Sequence, residues 1–248
     1  MSLKGQLIVI EGLEGAGKTT IIERLKKQFN KTNGVVVTRE PGGTEFGERL
    51  RKIILEQDLD PITELFLFEA ARREHFVNVI FPALQAGKIV IMDRFTDSTV
   101  AYQTFLQNIG YNYVQNCNTL ATAYTNLQLL NVNHIKPDLT IFLDIEFKEA
   151  QKRIRNREMN NKKDRLNSDE FEAIRNGYQF AFNQVDRTNK VRQINVTHLD
   201  ESEVYCEVAS ILTGYLKEYK KKKAENHPEM TYSIMDSLQT TKLREFED

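Results

Sequence analysis

Cysteine is almost missing from this chain: Cys117 and Cys206 are the only two among 248 residues. They lie too far apart for a Cys-x-x-Cys pair, which argues against a disulfide framework or a zinc site and fits a reducing compartment. Both fall in helical-looking segments, where a buried, inert thiol is expected. Neither sign of charge dominates. Thirty-four Lys and Arg against 35 Asp and Glu leave a formal net charge of −1, so no global field draws the chain to nucleic acid or membrane. No apolar run approaches the length of a membrane span. Lys4 before an apolar stretch faintly resembles the start of a signal peptide, but Glu11 and Glu14 end that likeness, and a glycine motif stands where a cleavage site would be needed. The expectation is a cytoplasmic protein with no nucleic-acid and no membrane partner. What is present, 40% hydrophobic and 28% charged residues, is ordinary for a soluble globular protein. The length suits one α/β domain with a real core.

Residues 12–19 read GLEGAGKT, which meets the phosphate-loop pattern through Gly12, Gly17, Lys18 and Thr19. The run QLIVI at 6–10 precedes it and reads as a buried strand. Ile21, Ile22, Leu25 and Phe29 follow at helical spacing with charges between them. Strand, glycine loop and helix together place backbone N–H groups and a helix N-terminus around a polyphosphate. Lys18 adds positive charge for the outer phosphates, and the Thr19 hydroxyl suits a Mg²⁺ ligand.

Further strands are expected at 34–38, 88–93, 139–144 and, more weakly, 191–196. Helices are expected at 44–56, from Pro61 to about 85 with a kink near Phe81 and Pro82, and at 112–130, 169–185 and 203–219. This alternation predicts right-handed βαβ units: a parallel sheet of about five strands with helices on both faces. The lysine run at 220–223 and the polar segment to Asp248 read as a solvated helix end with a tail. Tyr232, Ile234, Met235 and Leu238 allow instead a short docked amphipathic helix. The expected division is one domain over 1–217 and an extension over 218–248.

Other residues point to chemistry at the same end of the sheet. Asp93 closes a strand and is followed by Arg94: a Mg²⁺ ligand through water with a phosphate-gripping fork, or a helix cap with an ion pair. REPGG at 39–43 joins Arg39 and Glu40 to a glycine turn, and Arg51 lies in the next helix. Phe68 and Arg72 are spaced i, i+4, so they share a face that suits a flat base, although Phe68 also suits the core. Arg153 and Arg157 share a helical face ahead of an Asn-rich stretch. A mobile arginine segment there, about 153–167, can close over a nucleotide.

At these residues the chain resembles the bacterial thymidylate kinase family. EGLEGAGKTT at 11–20, TREPGG at 38–43, LFEAAR at 67–72, DRFTDS at 93–98 with AYQ at 101–103, PDLTIFLD at 137–144 and the arginines ending at Arg165 occur in the family's order. The likeness covers roughly residues 5–215. It implies a P-loop kinase fold, transfer of the ATP γ-phosphate to dTMP, Mg²⁺ dependence and a homodimer. By matching positions it implies that Gly12, Glu14, Gly15, Ala16, Gly17, Lys18, Thr19 and Thr20 hold the donor, with Arg153 near adenine. Phe68 would stack on thymine, Arg72 would bond its O4 edge, Gln103 would approach the base, and Tyr102 would crowd a ribose 2′-hydroxyl. Arg39, Arg51 and Arg94 would surround the acceptor phosphate, with Glu40 and Ser98 lining the site and Glu11 near the sugar 3′-hydroxyl. Catalytic roles would fall to Lys18, Arg94, Glu11 and Arg157, metal roles to Thr19 and Asp93. Some members of the family carry an arginine in the phosphate loop; none occupies positions 13–16 here, so the resemblance implies that the catalytic arginine would come from the lid.

The sequence departs from the family in the length of 112–136 and in Asn167, where an acidic residue is common. Rival readings are another nucleoside monophosphate kinase and a slow nucleotide-hydrolysing switch. NKKD at 161–164 has the letters of a guanine-reading motif but follows no strand.

Overall fold

The computed structural model describes residues 5–30, 32–124, 133–155, 166–184 and 190–226. Strands β1 (Gln6–Gly12), β2 (Val35–Arg39), β3 (Ile89–Asp93), β4 (Leu139–Asp144) and β5 (Val191–Asn195) form one sheet in the order β2-β3-β1-β4-β5. Every pairing is parallel. Alternate residues of β1 go to opposite faces. Ile8 and Ile10 join the core beneath α1 (Lys18–Phe29), α8 (Ser168–Phe182) and α9 (Glu201–Asn226), and Leu7 and Val9 join the one that holds Phe76, Ile80, Val90 and Met92. Burial on both faces explains strands that read as apolar runs rather than alternating ones. The chain leaves β1 towards β2 on one side and crosses from β3 to β4 on the other. The crevice at the carboxyl end of β1 is therefore where such a sheet binds ligands.

Local chemistry sets the helix starts. The Thr44 hydroxyl accepts from Gly47 N–H (3.0 Å) and opens α2 (Glu45–Glu56). Asp60 accepts from Ile62 and Thr63 ahead of α3 (Pro61–His75), with proline at the first position. Asn167 and Glu170 form a reciprocal capping box at α8, which gives the asparagine at this position a structural role of its own. Near the expected kink, α3 widens into a π segment at Phe76–Ile80 and continues as α4 (Phe81–Gln85). After β3 comes a short α5 (Thr96–Thr99) and a second π segment, Val100–Leu106, then α6 (Tyr111–Ala121). The helix expected over 112–130 thus ends at Ala121, and 125–132 lies outside the described residues. Helix α7 (Phe147–Arg155) carries Arg153. Helix α9 runs on through the lysine run; the tail with Tyr232 and Leu238 lies outside the described residues.

Cys117 is half-buried, but Cys206 is exposed, against the expected burial. The buried stripe of α9 is Val204, Val208, Leu212 and Leu216, and Cys206 falls off it. Phe142 of β4 is fully enclosed, its ring 4.9 Å from that of Tyr178 and 5.1 Å from that of Phe182. A Phe142→Ala protein should lose about 3–5 kcal/mol of stability, read as a lower urea midpoint.

Candidate active site

The loop between β1 and α1 is shaped by close approaches. A side chain at Gly12 would meet the Leu143 carbonyl at 2.7 Å, and Gly17, the cap of α1, sits at φ +89°. Lys18 is buried, and its ammonium donates to the carbonyls of Gly12 and Leu13, both at 2.8 Å. Burial first, then the neighbouring Arg94, lowers its pKa to about 8. Thr19 is exposed and lines the cavity beside the loop.

Arg94 adopts φ +66°, an uncommon conformation for a side-chain-bearing residue. Two bonds hold this turn. Arg94 N–H donates to Ile10 O (3.0 Å), extending the ladder past β3, and Phe95 N–H donates to Glu11 Oε1 (2.8 Å). The Arg94 guanidinium is then fixed at both ends: Nη2 donates to Glu14 Oε1 (2.6 Å) and Nη1 to the Tyr178 hydroxyl (2.8 Å). It lies 5.3 Å from the centre of the Tyr102 ring. Burial opposes its charge, but Tyr102, Tyr178, Glu14 and Glu11 hold its pKa well above the usual value.

Glu11 does not reach the cavity. It is fully enclosed and accepts from Phe95 N–H, Ser98 Oγ (2.6 Å) and Tyr178 OH (2.9 Å). Burial raises its pKa to about 7, Arg94 acting against the shift. Expected near a sugar hydroxyl, Glu11 here collects three donors behind the cavity wall. Glu14 likewise turns away from the donor loop: its carboxylate takes Arg94 and the Tyr102 hydroxyl (3.0 Å). A carboxylate facing a polyphosphate would repel it.

A cavity of about 280 Å³ opens beside the loop, walled by Phe68, Arg72, Gln103, Arg51, Ser98 and Asp93 among others. Arg72 is buried with all five donors committed: Nε to Glu40, Nη1 to Glu69 and Asn118, Nη2 to Thr99 and, at 3.4 Å, to Phe95 O. A bond to a base carbonyl requires exchange of one of these, the long Phe95 contact being the weakest. Burial alone would raise the pKa of Glu40; Arg72 and His75 outweigh it and hold the carboxyl low. His75 bridges Glu40 (3.3 Å) to the Thr38 hydroxyl (2.7 Å). Gln103 donates to Glu64 (3.2 Å). Arg51 bonds the Pro41 carbonyl (3.0 Å), and burial and Arg39 lower its pKa.

Of the other expected site arginines, one stands off the wall of this cavity and one beside the phosphate loop. Arg39 forms a two-pronged pair with Glu48, a carboxylate four residues beyond Thr44 that captures it before it reaches the cavity wall. Arg153 lines a second cavity of about 660 Å³ with Gly15, Ala16, Gly17 and Thr20, but its guanidinium is tied to Glu149 and to the carbonyls of Val196, Thr197 and Leu199. Arg157 and the rest of the lid cluster lie outside the described residues. Sequence reading missed Tyr178 and His75. Tyr178 fits the apolar face of α8, and His75 lies one turn beyond Arg72, a spacing that flags it only once Arg72 is known to matter.

Asp93 Oδ1 is enclosed and meets no hydrogen-bond partner among the described residues. An orphaned carboxylate oxygen beside Thr19 is suited to a hard cation or its water shell. No helix of the described residues is long and apolar enough to cross a membrane.

A phosphate loop, a carboxylate at the end of the adjacent strand and an arginine-walled cavity beside them define a P-loop kinase of nucleotides. Comparison with known proteins narrows this class. The family profile "Thymidylate kinase" matches residues 10–204. The thymidylate kinase of Staphylococcus epidermidis is 40% identical over 217 residues, 85% of this chain and 98% of that protein. That of Mycoplasma capricolum is 37% identical over 219 residues, 87% and 98%. The crystal structure of thymidylate kinase from Ehrlichia chaffeensis aligns with a TM-score of 0.64 at 31% identity, covering 84% of this chain and 98% of that one. The chain belongs to the thymidylate kinase family. Phosphorylation of dTMP to dTDP with ATP as donor is the family's activity and this chain's.

Glu11 gives the site a pH signature. Its folded pKa of about 7 lies above the ordinary 4.5, so its contribution favours folding at low pH and is lost as pH rises from about 4.5 through 7. Relative to Glu11→Gln, the native chain should lose stability between pH 4.5 and 7, measured as urea midpoints of both proteins across that range.

Proposed function

We propose that the donor lies on the 12–20 loop and dTMP in the 280 Å³ cavity, with Arg94 between them. The reading rests on one observation: Arg94 stands where loop and cavity meet, gripped by Glu14 of the loop and Tyr178 of α8. An acceptor phosphate oxygen attacks the γ-phosphorus, the bond to the β-bridging oxygen breaks, and ADP leaves. The acceptor is already an anion near neutral pH, so no general base is needed; positioning and charge neutralisation supply the rate.

Arg51 and Arg94 face the acceptor phosphate. Arg51 commits one donor to Pro41, and a neighbouring anion would reverse the lowering of its pKa. Lys18 exchanges the loop carbonyls for donor phosphates and stays charged there. Phe68 stacks on the base, and Gln103 and Arg72 read its edge. Tyr102, under Arg94, limits space at the sugar. Asp93 and Thr19 would hold Mg²⁺, which when bound neutralises phosphate charge. Arg157 of the lid stabilises the transferring group. The exposed Ile62 and Phe66 on one face of α3, with Phe46 on α2 alongside, support a homodimer through these helices. Two free cysteines suit the cytoplasm.

ADP release from Mg²⁺-ATP across dTMP, dUMP, dCMP, dGMP and AMP should be fastest with dTMP; equal rates would overturn the acceptor assignment. Phe68→Ala should raise the KM for dTMP roughly 10-fold or more with a smaller change in kcat, whereas Arg157→Ala should lower kcat about 100-fold or more with KM little changed. Phe66→Glu should convert the dimer to a monomer in sedimentation; a native chain already monomeric would sink that part.

A further inference from the structure

We infer that Tyr178 is a positioning residue for the acceptor arginine: its hydroxyl sets the orientation in which Arg94 receives the monophosphate. The inference rests on the reading of Arg94 given above. Tyr178 is fully enclosed on α8, and its ring packs 4.9 Å from Phe142 and 5.8 Å from Phe182. Those contacts are apolar and fix where the hydroxyl sits. The hydroxyl meets Arg94 Nη1 at 2.8 Å and Glu11 Oε2 at 2.9 Å, with Ser98 Oγ at 3.0 Å.

A phenol has one proton and two acceptor sites. Glu11 Oε2 takes that proton, which leaves the oxygen to accept from Arg94. The same group therefore links an enclosed carboxylate to a guanidinium, and each contact polarises the other. Glu14 holds Nη2 and Tyr178 holds Nη1, so the two fix the plane of the fork. Without the hydroxyl, Nη1 loses its shortest contact among the described residues and keeps the 3.4 Å one to Ser98, and the fork turns more freely about Glu14. Phenylalanine would fill the same core space and do none of this. Tyr178 also sits on the helix that follows the lid segment.

The test is Tyr178→Phe, Arg94→Ala and the double variant, with dTMP and ATP titrated separately by calorimetry and kcat and KM measured for each. Tyr178→Phe should weaken dTMP binding roughly 5- to 20-fold, the scale of one hydrogen bond to a charged group, and leave ATP affinity within about twofold. In the Arg94→Ala background the same substitution should change dTMP affinity by less than about twofold, because its target is gone. Weaker dTMP binding in Arg94→Ala with none in Tyr178→Phe would overturn the inference and leave the Arg94 reading standing. An undiminished Tyr178 effect without Arg94, or equal loss of ATP and dTMP affinity, would show that Tyr178 acts only through the fold. Unchanged dTMP affinity in Arg94→Ala would remove the Arg94 reading and this inference with it.

Discussion

Glu11 stands at the carboxyl end of β1, is sealed from solvent, and collects donors from three elements: Phe95 N–H at the turn after β3, Ser98 of α5 and Tyr178 of α8. An unpartnered carboxylate in that position would cost several kcal/mol. Partnered, it becomes the point from which the Arg94 side of the cavity is measured. The Phe95 bond fixes the turn in which Arg94 takes its positive φ, and that turn starts α5. Its residues Ser98 and Thr99 then reach Glu11 and Arg72 respectively. The central strand thus places Arg94, although that residue directly follows β3, the next strand over.

Charge is arranged in two tiers around the cavity. Glu11, Glu14, Glu40 and Glu69 lie behind or between the arginines and hold them, through Arg94 in one group and Arg72 in the other. Arg51 and Lys18 are held by carbonyls instead, and both have lowered pKa values because burial is not matched by a carboxylate partner at contact distance. An anionic phosphate gains most from the second pair, since it supplies the charge they lack. The first pair is oriented before any ligand arrives, which lowers the reorganisation needed to bind one. Glu14 joins the tiers. It belongs to the phosphate loop, yet its carboxylate is spent on Arg94 and Tyr102, so the loop and the Arg94 fork are tied together by one side chain.

Much of this was readable from the sequence, and what was not has specific causes. β4 falls on 139–144 as expected because it is an apolar run buried on both faces and introduced by Pro137. The loop, the Asp93–Arg94 pair and the Phe68–Arg72 face were legible because their spacing is local. The pairing of Arg39 with Glu48 was not readable, because Glu48 comes from α2 and no local pattern says which of two nearby arginines a carboxylate will capture. The burial of Glu11 could not be read from its own stretch: it depends on α5 and α8 closing over a strand-end carboxylate. Tyr178 looked like core and is core; its hydroxyl acquires meaning only through Glu11, 167 residues away in the chain.

The two π segments account for the largest departure from simple periodicity. At Phe76–Ile80 the Phe81 N–H reaches back to Phe76 O, and at Val100–Leu106 the Gln107 N–H reaches back to Tyr102 O. Each wider turn shifts every following side chain around its helix axis, so an apolar stripe drawn at 3.6 residues per turn drifts. That is why the long stretch from Pro61 has an apolar face that wanders, and why 96–106 shows no helical pattern. The second segment also carries Tyr102 and Gln103, both in the cavity wall and both buried. Gln103 points its amide at Glu64 of α3 while Tyr102, its neighbour in sequence, reaches the donor loop through Glu14. A regular helix separates consecutive side chains by about 100°. A π turn holds more residues and so narrows that step; the two side chains serve opposite sides of one cavity because their partners, Glu64 and Glu14, lie there, and the extra residue sets where the pair falls on the wall, the kind of local rearrangement for which π segments are found at functional sites.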